Sequence, residues 1–291
     1  MKLKGIFAAV ATPFINGDID VEAYTSYIEW LIGEGIDGIV VCGSTGESSM
    51  LSFKEHIELI NITKDIVRNR ITIIANCGAN STSEAVYLTQ EAEKLGVDAV
   101  LSVVPYYVKP TQQGLIEHYT AIHNASNVPI IIYNVPSRTV TDASVDTIVE
   151  LSKLERIIGI KEASSDMEKV AEIVANTPDN FSVLSGNDST FLPFLSVGGD
   201  GVISVIANVI PARFLALYKA VEENDLRKAI RLNSELLALN KALSSESNPI
   251  PVKYALYRIG KMRNELRLPL TPLRAENMEI IDKALADLGV V

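Results

Sequence analysis

Residues 157–161 read Ile157-Ile158-Gly159-Ile160-Lys161, a run apolar on both faces, too short for a helix and ended by a lysine. Strands that are apolar on both faces belong to parallel sheets covered by helices. Working outward, similar Val- and Ile-rich runs recur at 5–11, 37–41, 71–77, 98–104, 129–133, 181–184 and 201–205. Between them lie segments with helical spacing, such as Ala23, Tyr27, Trp30 and Leu31, or Ala85, Leu88, Ala92 and Leu95. The strand starts are each about one βα unit apart. Eight such strands alternating with helices predict an α/β fold, a closed (β/α)8 TIM barrel.

An open doubly wound sheet is the competing architecture, and a G-x-G-x-x-G string is present at Gly33, Gly35 and Gly38. It falls where a helix ends and a strand begins, the reverse of what pyrophosphate binding at a helix N-terminus requires. It reads as a helix end followed by a tight turn. After Asn208 the pattern is purely helical: Leu226, Ala229, Ile230, Asn233, Leu236, Leu237 and Asn240 repeat at 3.6 spacing behind an N-cap at Asn224-Asp225. Prolines mark turns at 248–251 and 268–272. The predicted organisation is a barrel over 1–207, then a closing helix and C-terminal helical extension over 208–291, packed as one unit with it.

The chain has 291 residues, 47% of them hydrophobic, ample for a large core. Against 26 basic side chains stand 36 acidic ones, a net charge of −10 that argues against nucleic acid or anionic membrane as partner. No apolar run is long enough to predict a membrane span. The N-terminal MKLKGIFAAVATPF stops at Thr12-Pro13 without a small-residue cleavage pattern and reads as a first strand rather than a secretion signal. Cys42 and Cys77 lie in apolar strand-like segments without metal-ligand spacing and read as buried reduced thiols. The expected location is cytoplasmic.

In such barrels the chemistry gathers at the carboxyl ends of the strands. Those positions hold Gly43–Ser48, Pro105-Tyr106-Tyr107, Tyr133–Arg138, Lys161–Ser164 and Ser185-Gly186-Asn187-Asp188. Lys161 is the most informative. Buried at a strand end, its ammonium is disfavoured and the free amine can attack a carbonyl; the alternative is a lysine that snorkels outward or pairs with a carboxylate. A phenol such as Tyr133 can relay protons, and Thr45, in a turn of small residues with N–H groups and hydroxyls, can hold a carboxylate without a metal. Equally, Tyr133 and Tyr107 read as core aromatics, and 43–48 as a polar loop capping a helix. His56, His118 and His123 show no zinc spacing, and neither a G-x-S-x-G elbow nor a phosphate loop occurs, so no metal is expected.

From Ala11-Thr12-Pro13-Phe14 to the C-terminal helices the chain resembles the dihydrodipicolinate synthases, within the class I pyruvate aldolases that include N-acetylneuraminate lyase. The strings that carry the resemblance are GSTGES at 43–48, PYY at 105–107, YNVPSRT at 133–139, GIKEAS at 159–164, GVISV at 201–205 and NPIPVK at 248–253. The resemblance implies condensation of pyruvate with L-aspartate 4-semialdehyde on a Schiff base at Lys161, toward diaminopimelate and lysine, with no cofactor. It implies that Tyr133 shuttles protons, that Ser44 and Tyr107 form the relay to solvent, and that Thr45 holds the pyruvate carboxylate. Arg138 corresponds to the arginine for the aldehyde's carboxylate; Ile203 lies in the strand beside the lysine, and Gly186 completes the substrate-binding set. Because Tyr107 matches a residue supplied across a subunit contact, a homo-oligomer follows, a dimer at least and a tetramer by family habit. Ser49, His56, Asn80, Glu84 and Tyr106 fit the family's lysine effector site.

Two departures qualify it. The relay hydroxyl is usually threonine, and Ser44 keeps the hydroxyl but loses the methyl that restricts its rotamer. Phe53 stands where a histidine is often found. Other readings are a sister aldolase acting on a sugar-derived keto acid, against which Arg138 speaks, and a non-catalytic paralogue binding pyruvate or lysine.

Overall fold

The computed structural model describes residues 1–291. Its eight parallel strands are β1 (Gly5–Ala9), β2 (Gly38–Val41), β3 (Thr72–Asn76), β4 (Ala99–Val103), β5 (Ile130–Asn134), β6 (Ile157–Glu162), β7 (Ser182–Ser185) and β8 (Gly201–Ser204). They run β1-β8-β7-β6-β5-β4-β3-β2 around a closed barrel, as the two-faced apolar runs predict. Between them come α1 (Val21–Gly33), α2 (Phe53–Val67), α3 (Thr82–Lys94), α4 (Gln112–Ala125), the short α5 (Pro136–Thr139), α6 (Val145–Leu151), α7 (Met167–Asn176) and α8 (Phe191–Ser196). No helix is long and apolar enough to cross a membrane.

The chain divides into two compact units. The first comprises Met1–Gly5 and Thr72–Ile203. Within it β5 and β6 pair so that Tyr133 lies beside Lys161, and Asn134 beside Glu162. Neighbouring strands approach closely at Gly159, where a Cβ would stand 2.4 Å from the Ser182 carbonyl oxygen. Any side chain there would push β6 from β7. Cys77 is buried and unpaired, and its burial pushes the thiol up.

The second unit comprises Ile6–Ile71 and Ser204–Val291. In it β1 pairs with β2 through Phe7 opposite Gly38. The Gly33-Gly35-Gly38 string behaves as a turn: α1 ends at Gly33, Gly35 takes φ +85° and β2 begins at Gly38. The remaining helices are α9 (Pro211–Glu222), α10 (Leu226–Leu243), α11 (Ile250–Arg258) and α12 (Ala275–Asp287), with α10 packed on α9 and α12. Asp225 caps α10 by accepting the Lys228 N–H at 3.0 Å, the arrangement expected of an acidic N-cap.

Candidate active site

In the first unit, the β5–β6 register sets Lys161 and Tyr133 side by side, because residues paired across parallel strands share a face. The Lys161 Nζ lies 4.3 Å from the centre of the Tyr133 ring. Lys161 is 7% exposed and Tyr133 8%. Burial brings the Lys161 ammonium down to about 8, opposed by the charge of Asp188 and assisted by that of Arg138. The amine is therefore within reach of deprotonation near neutrality, which a nucleophile requires. Gly186, after β7, leaves space for this: a Cβ would meet Ala163 Cβ at 2.5 Å and Lys161 Cε at 3.2 Å.

The next residues, Asn134 and Glu162, point to the opposite face, as strand alternation dictates. Asn134 Nδ2 donates to Glu162 Oε2 at 2.9 Å, and the Ser164 N–H donates to Oε1 at 2.7 Å. Lys169 of α7 places its Nζ 3.3 Å from Glu162 and 2.5 Å from Asp142. Glu162 is thus both hydrogen-bonded and paired, as a buried carboxylate must be. These bonds tie together the strand ends that carry Tyr133 and Lys161.

Arg138 is exposed on α5, and Ile203 is buried on β8. Tyr107 is 87% exposed and takes φ +72°, a left-handed conformation that costs a side-chain-bearing residue of order 1–3 kcal/mol. Tyr106 beside it is also exposed. Asn80 precedes α3, and Glu84 is exposed in the first turn of that helix, where the macrodipole favours a carboxylate.

The second unit carries the turn 43–48. Its carbonyls are used internally: Gly43 accepts from the N–H groups of Gly46 and Ser48, and Ser44 from that of Glu47. Three N–H groups expected to greet a carboxylate are therefore committed to the turn. The turn also carries the hydroxyl of Thr45, a 2%-exposed side chain whose Oγ1 accepts from Asn248 Nδ2 at 2.9 Å. Ser44 is half-buried, Ser49 exposed, and His56 buried on α2.

Behind the turn lies a pair that sequence reasoning missed. Glu47 and Lys253 are both fully buried at the side chain, with Lys253 Nζ 2.5 Å from Glu47 Oε1. Lys253 also donates to the Thr12 carbonyl at 2.8 Å, and the Arg267 N–H donates to Glu47 Oε2 at 3.0 Å. Glu47 and Lys253 are 206 residues apart, so no local pattern joins them. Asp188 was missed too; it was legible only as one more polar residue after a strand.

Over residues 2–288 the chain matches the dihydrodipicolinate synthetase family. The chain belongs to this family. A relative named 4-hydroxy-tetrahydrodipicolinate synthase, from Thermodesulfovibrio yellowstonii, is 46% identical over 99% of both chains. Among solved structures in the family, the chloride-inhibited dihydrodipicolinate synthase of Acinetobacter baumannii, complexed with pyruvate, superposes with a TM-score of 0.97 at 41% identity, covering 100% of both chains. That of Cyanidioschyzon merolae, with lysine bound, gives 0.97 at 36% identity and 99% of both.

Proposed function

We propose that this chain condenses pyruvate with L-aspartate 4-semialdehyde to give 4-hydroxy-tetrahydrodipicolinate, in lysine and diaminopimelate biosynthesis. The observation that carries the reading is the buried Lys161 amine, brought down to about 8 and set 4.3 Å from the Tyr133 ring. The Lys161 amine adds to the pyruvate ketone, and water leaves to form an imine. Loss of a methyl proton gives an enamine, which attacks the aldehyde carbon. The amine of the second substrate then closes the ring, displaces Lys161 and releases the heterocycle. Lysine itself supplies the electron sink, so the scheme needs no cofactor.

In this scheme Tyr133 moves the protons, and Ser44 with Tyr107 passes them toward solvent. Thr45 holds the pyruvate carboxylate, and the Arg138 guanidinium takes the carboxylate of the aldehyde. Ile203 and Gly186 shape the space beside Lys161. An exposed tyrosine held in a strained conformation supports a role for Tyr107 against a second copy of the chain, hence a homo-oligomer, a dimer at least and a tetramer by family resemblance. Ser49, His56, Asn80, Glu84 and Tyr106 are proposed as a lysine effector site, and the cytoplasm as the enzyme's location.

The test is turnover of pyruvate and aspartate semialdehyde, coupled to dihydrodipicolinate reductase and followed by NADPH loss. Pyruvate-dependent turnover that disappears in Lys161→Ala is the expected result. Absent turnover, with pyruvate still trapped on Lys161 by borohydride, would leave the imine chemistry standing and replace the acceptor.

A further inference from the structure

The NPIPVK string at 248–253 is conspicuous in the sequence, yet none of its residues enters the scheme above. Its first residue, Asn248, directs its amide at the Thr45 hydroxyl, 2.9 Å from Nδ2 to Oγ1. Its last, Lys253, is the fully buried cation on Glu47. A hydroxyl carries one proton and accepts through its lone pairs. Because the side-chain amide nitrogen of Asn248 can only donate, it occupies Thr45 Oγ1 as an acceptor. The hydroxyl proton must then go elsewhere.

The neighbouring residues deny the turn other freedom. Thr12 Oγ1 donates to the Gly46 carbonyl at 2.7 Å, while Lys253 and the Arg267 N–H grip both oxygens of Glu47. Thr45, Gly46 and Glu47 are thus anchored one after another by side chains or backbone far off in the sequence. Glu47 itself sits at φ +57°, a strained conformation that such bonds sustain.

We infer that Asn248 is a positioning and specificity-determining residue for the α-keto acid substrate: by donating to Thr45 Oγ1 it fixes and polarises that hydroxyl so that its O–H donates a hydrogen bond to the substrate carboxylate. The inference rests on Thr45 as the carboxylate holder in the proposed reaction. Asn248 acts through Thr45 and does not touch the reacting carbon, so the assignment concerns ground-state binding of the keto acid more than the bond-making step.

The experiment titrates pyruvate against borohydride trapping on Lys161 and, in parallel, measures coupled turnover. Asn248→Ala is expected to raise the pyruvate half-saturation and KM about ten-fold, with kcat changed less than about three-fold. Asn248→Asp turns the donor into an acceptor that takes the Thr45 proton and adds a negative charge, so about a hundred-fold loss is expected. Thr45→Val keeps the side-chain shape and should match the Asn248→Ala loss; the double variant should lose no more than either single one. Asn248→Ser, folded and able to donate, should recover part of the affinity.

Unchanged pyruvate KM in Asn248→Ala and Asn248→Asp would overturn the assignment, as would full additivity with Thr45→Val or a loss confined to kcat. A wild-type chain that traps no pyruvate at all would overturn the proposed reaction, and this assignment with it. Trapping without turnover of aspartate semialdehyde would change the acceptor alone, and the Asn248 result would still be read from the trap.

Discussion

Lys161 and Lys253 are both buried, and each holds its Nζ 4.3 Å from an aromatic ring, Tyr133 for one and Phe14 for the other. They differ in their counter-charge. Lys253 has Glu47 at 2.5 Å and the Thr12 carbonyl at 2.8 Å. In both, burial outweighs the carboxylate that favours the charge, Asp188 for Lys161 and Glu47 for Lys253, and brings the ammonium down; only for Lys253 is that carboxylate in ion-pair contact. Burial alone therefore does not separate the two lysines; a carboxylate in direct contact does, present at Lys253 and not at Lys161. A lysine supplied with a partner becomes a brace, and here it braces the turn that presents Thr45.

The sharpest way to break the comparison is to remove each amine in turn. Lys161→Met should abolish pyruvate trapping and lower turnover by at least about three orders of magnitude, measured in the coupled assay. The fold should survive, because Asp188 loses only a charge interaction and no contact ion pair is broken. Lys253→Met should do the reverse, leaving Glu47 buried and unpaired at a cost of about 3–5 kcal/mol, read from urea unfolding. Combining it with Glu47→Gln should recover much of that loss. Equal destabilisation by the two lysine variants would dissolve the distinction.

Acidity offers a finer probe. Folding lowers Lys161 from an ordinary 10.5 to about 8, so between those values the unfolded chain holds more protons than the folded one. Stability must then rise with pH across that window, and the penalty of the buried charge is fully present below about 8. At neutral pH Lys161→Met should consequently be more stable than the wild type by about 3 kcal/mol, since each tenfold change in a proton equilibrium is worth about 1.4 kcal/mol. The gap should close as pH approaches 10.5. Trapping rates should climb as pH passes 8, following the free amine. The smallest effect is expected at the relay: Ser44→Thr should raise kcat by about two-fold by restricting the hydroxyl's rotamers.

The two lysines also mark how far the sequence could be read. Lys161 was legible because strand alternation, burial and a strand-end position are local properties of 157–161. The eight strands were legible for the same reason, each a short two-faced apolar run, and Gly33-Gly35-Gly38 was legible as a turn from its place between helix and strand. Lys253 entered the sequence reading only as the last residue of the NPIPVK string, with no role of its own. Its meaning depends on Glu47 and Thr12, some 206 and 241 residues away, and no periodicity carries such distances. The segment 43–48 was legible as a small-residue polar turn at a strand end, but its internal hydrogen bonds were not. Those bonds commit the N–H groups of Gly46, Glu47 and Ser48 to the turn itself.

The central claim is that Lys161, and not Lys253 held on Glu47, is the amine that captures pyruvate. The direct measurement is borohydride reduction of the wild-type protein with pyruvate, followed by peptide mass mapping. The account predicts a single pyruvate-derived adduct on the peptide containing Lys161 and none on that containing Lys253. An adduct on another lysine, or no adduct at saturating pyruvate, would contradict it.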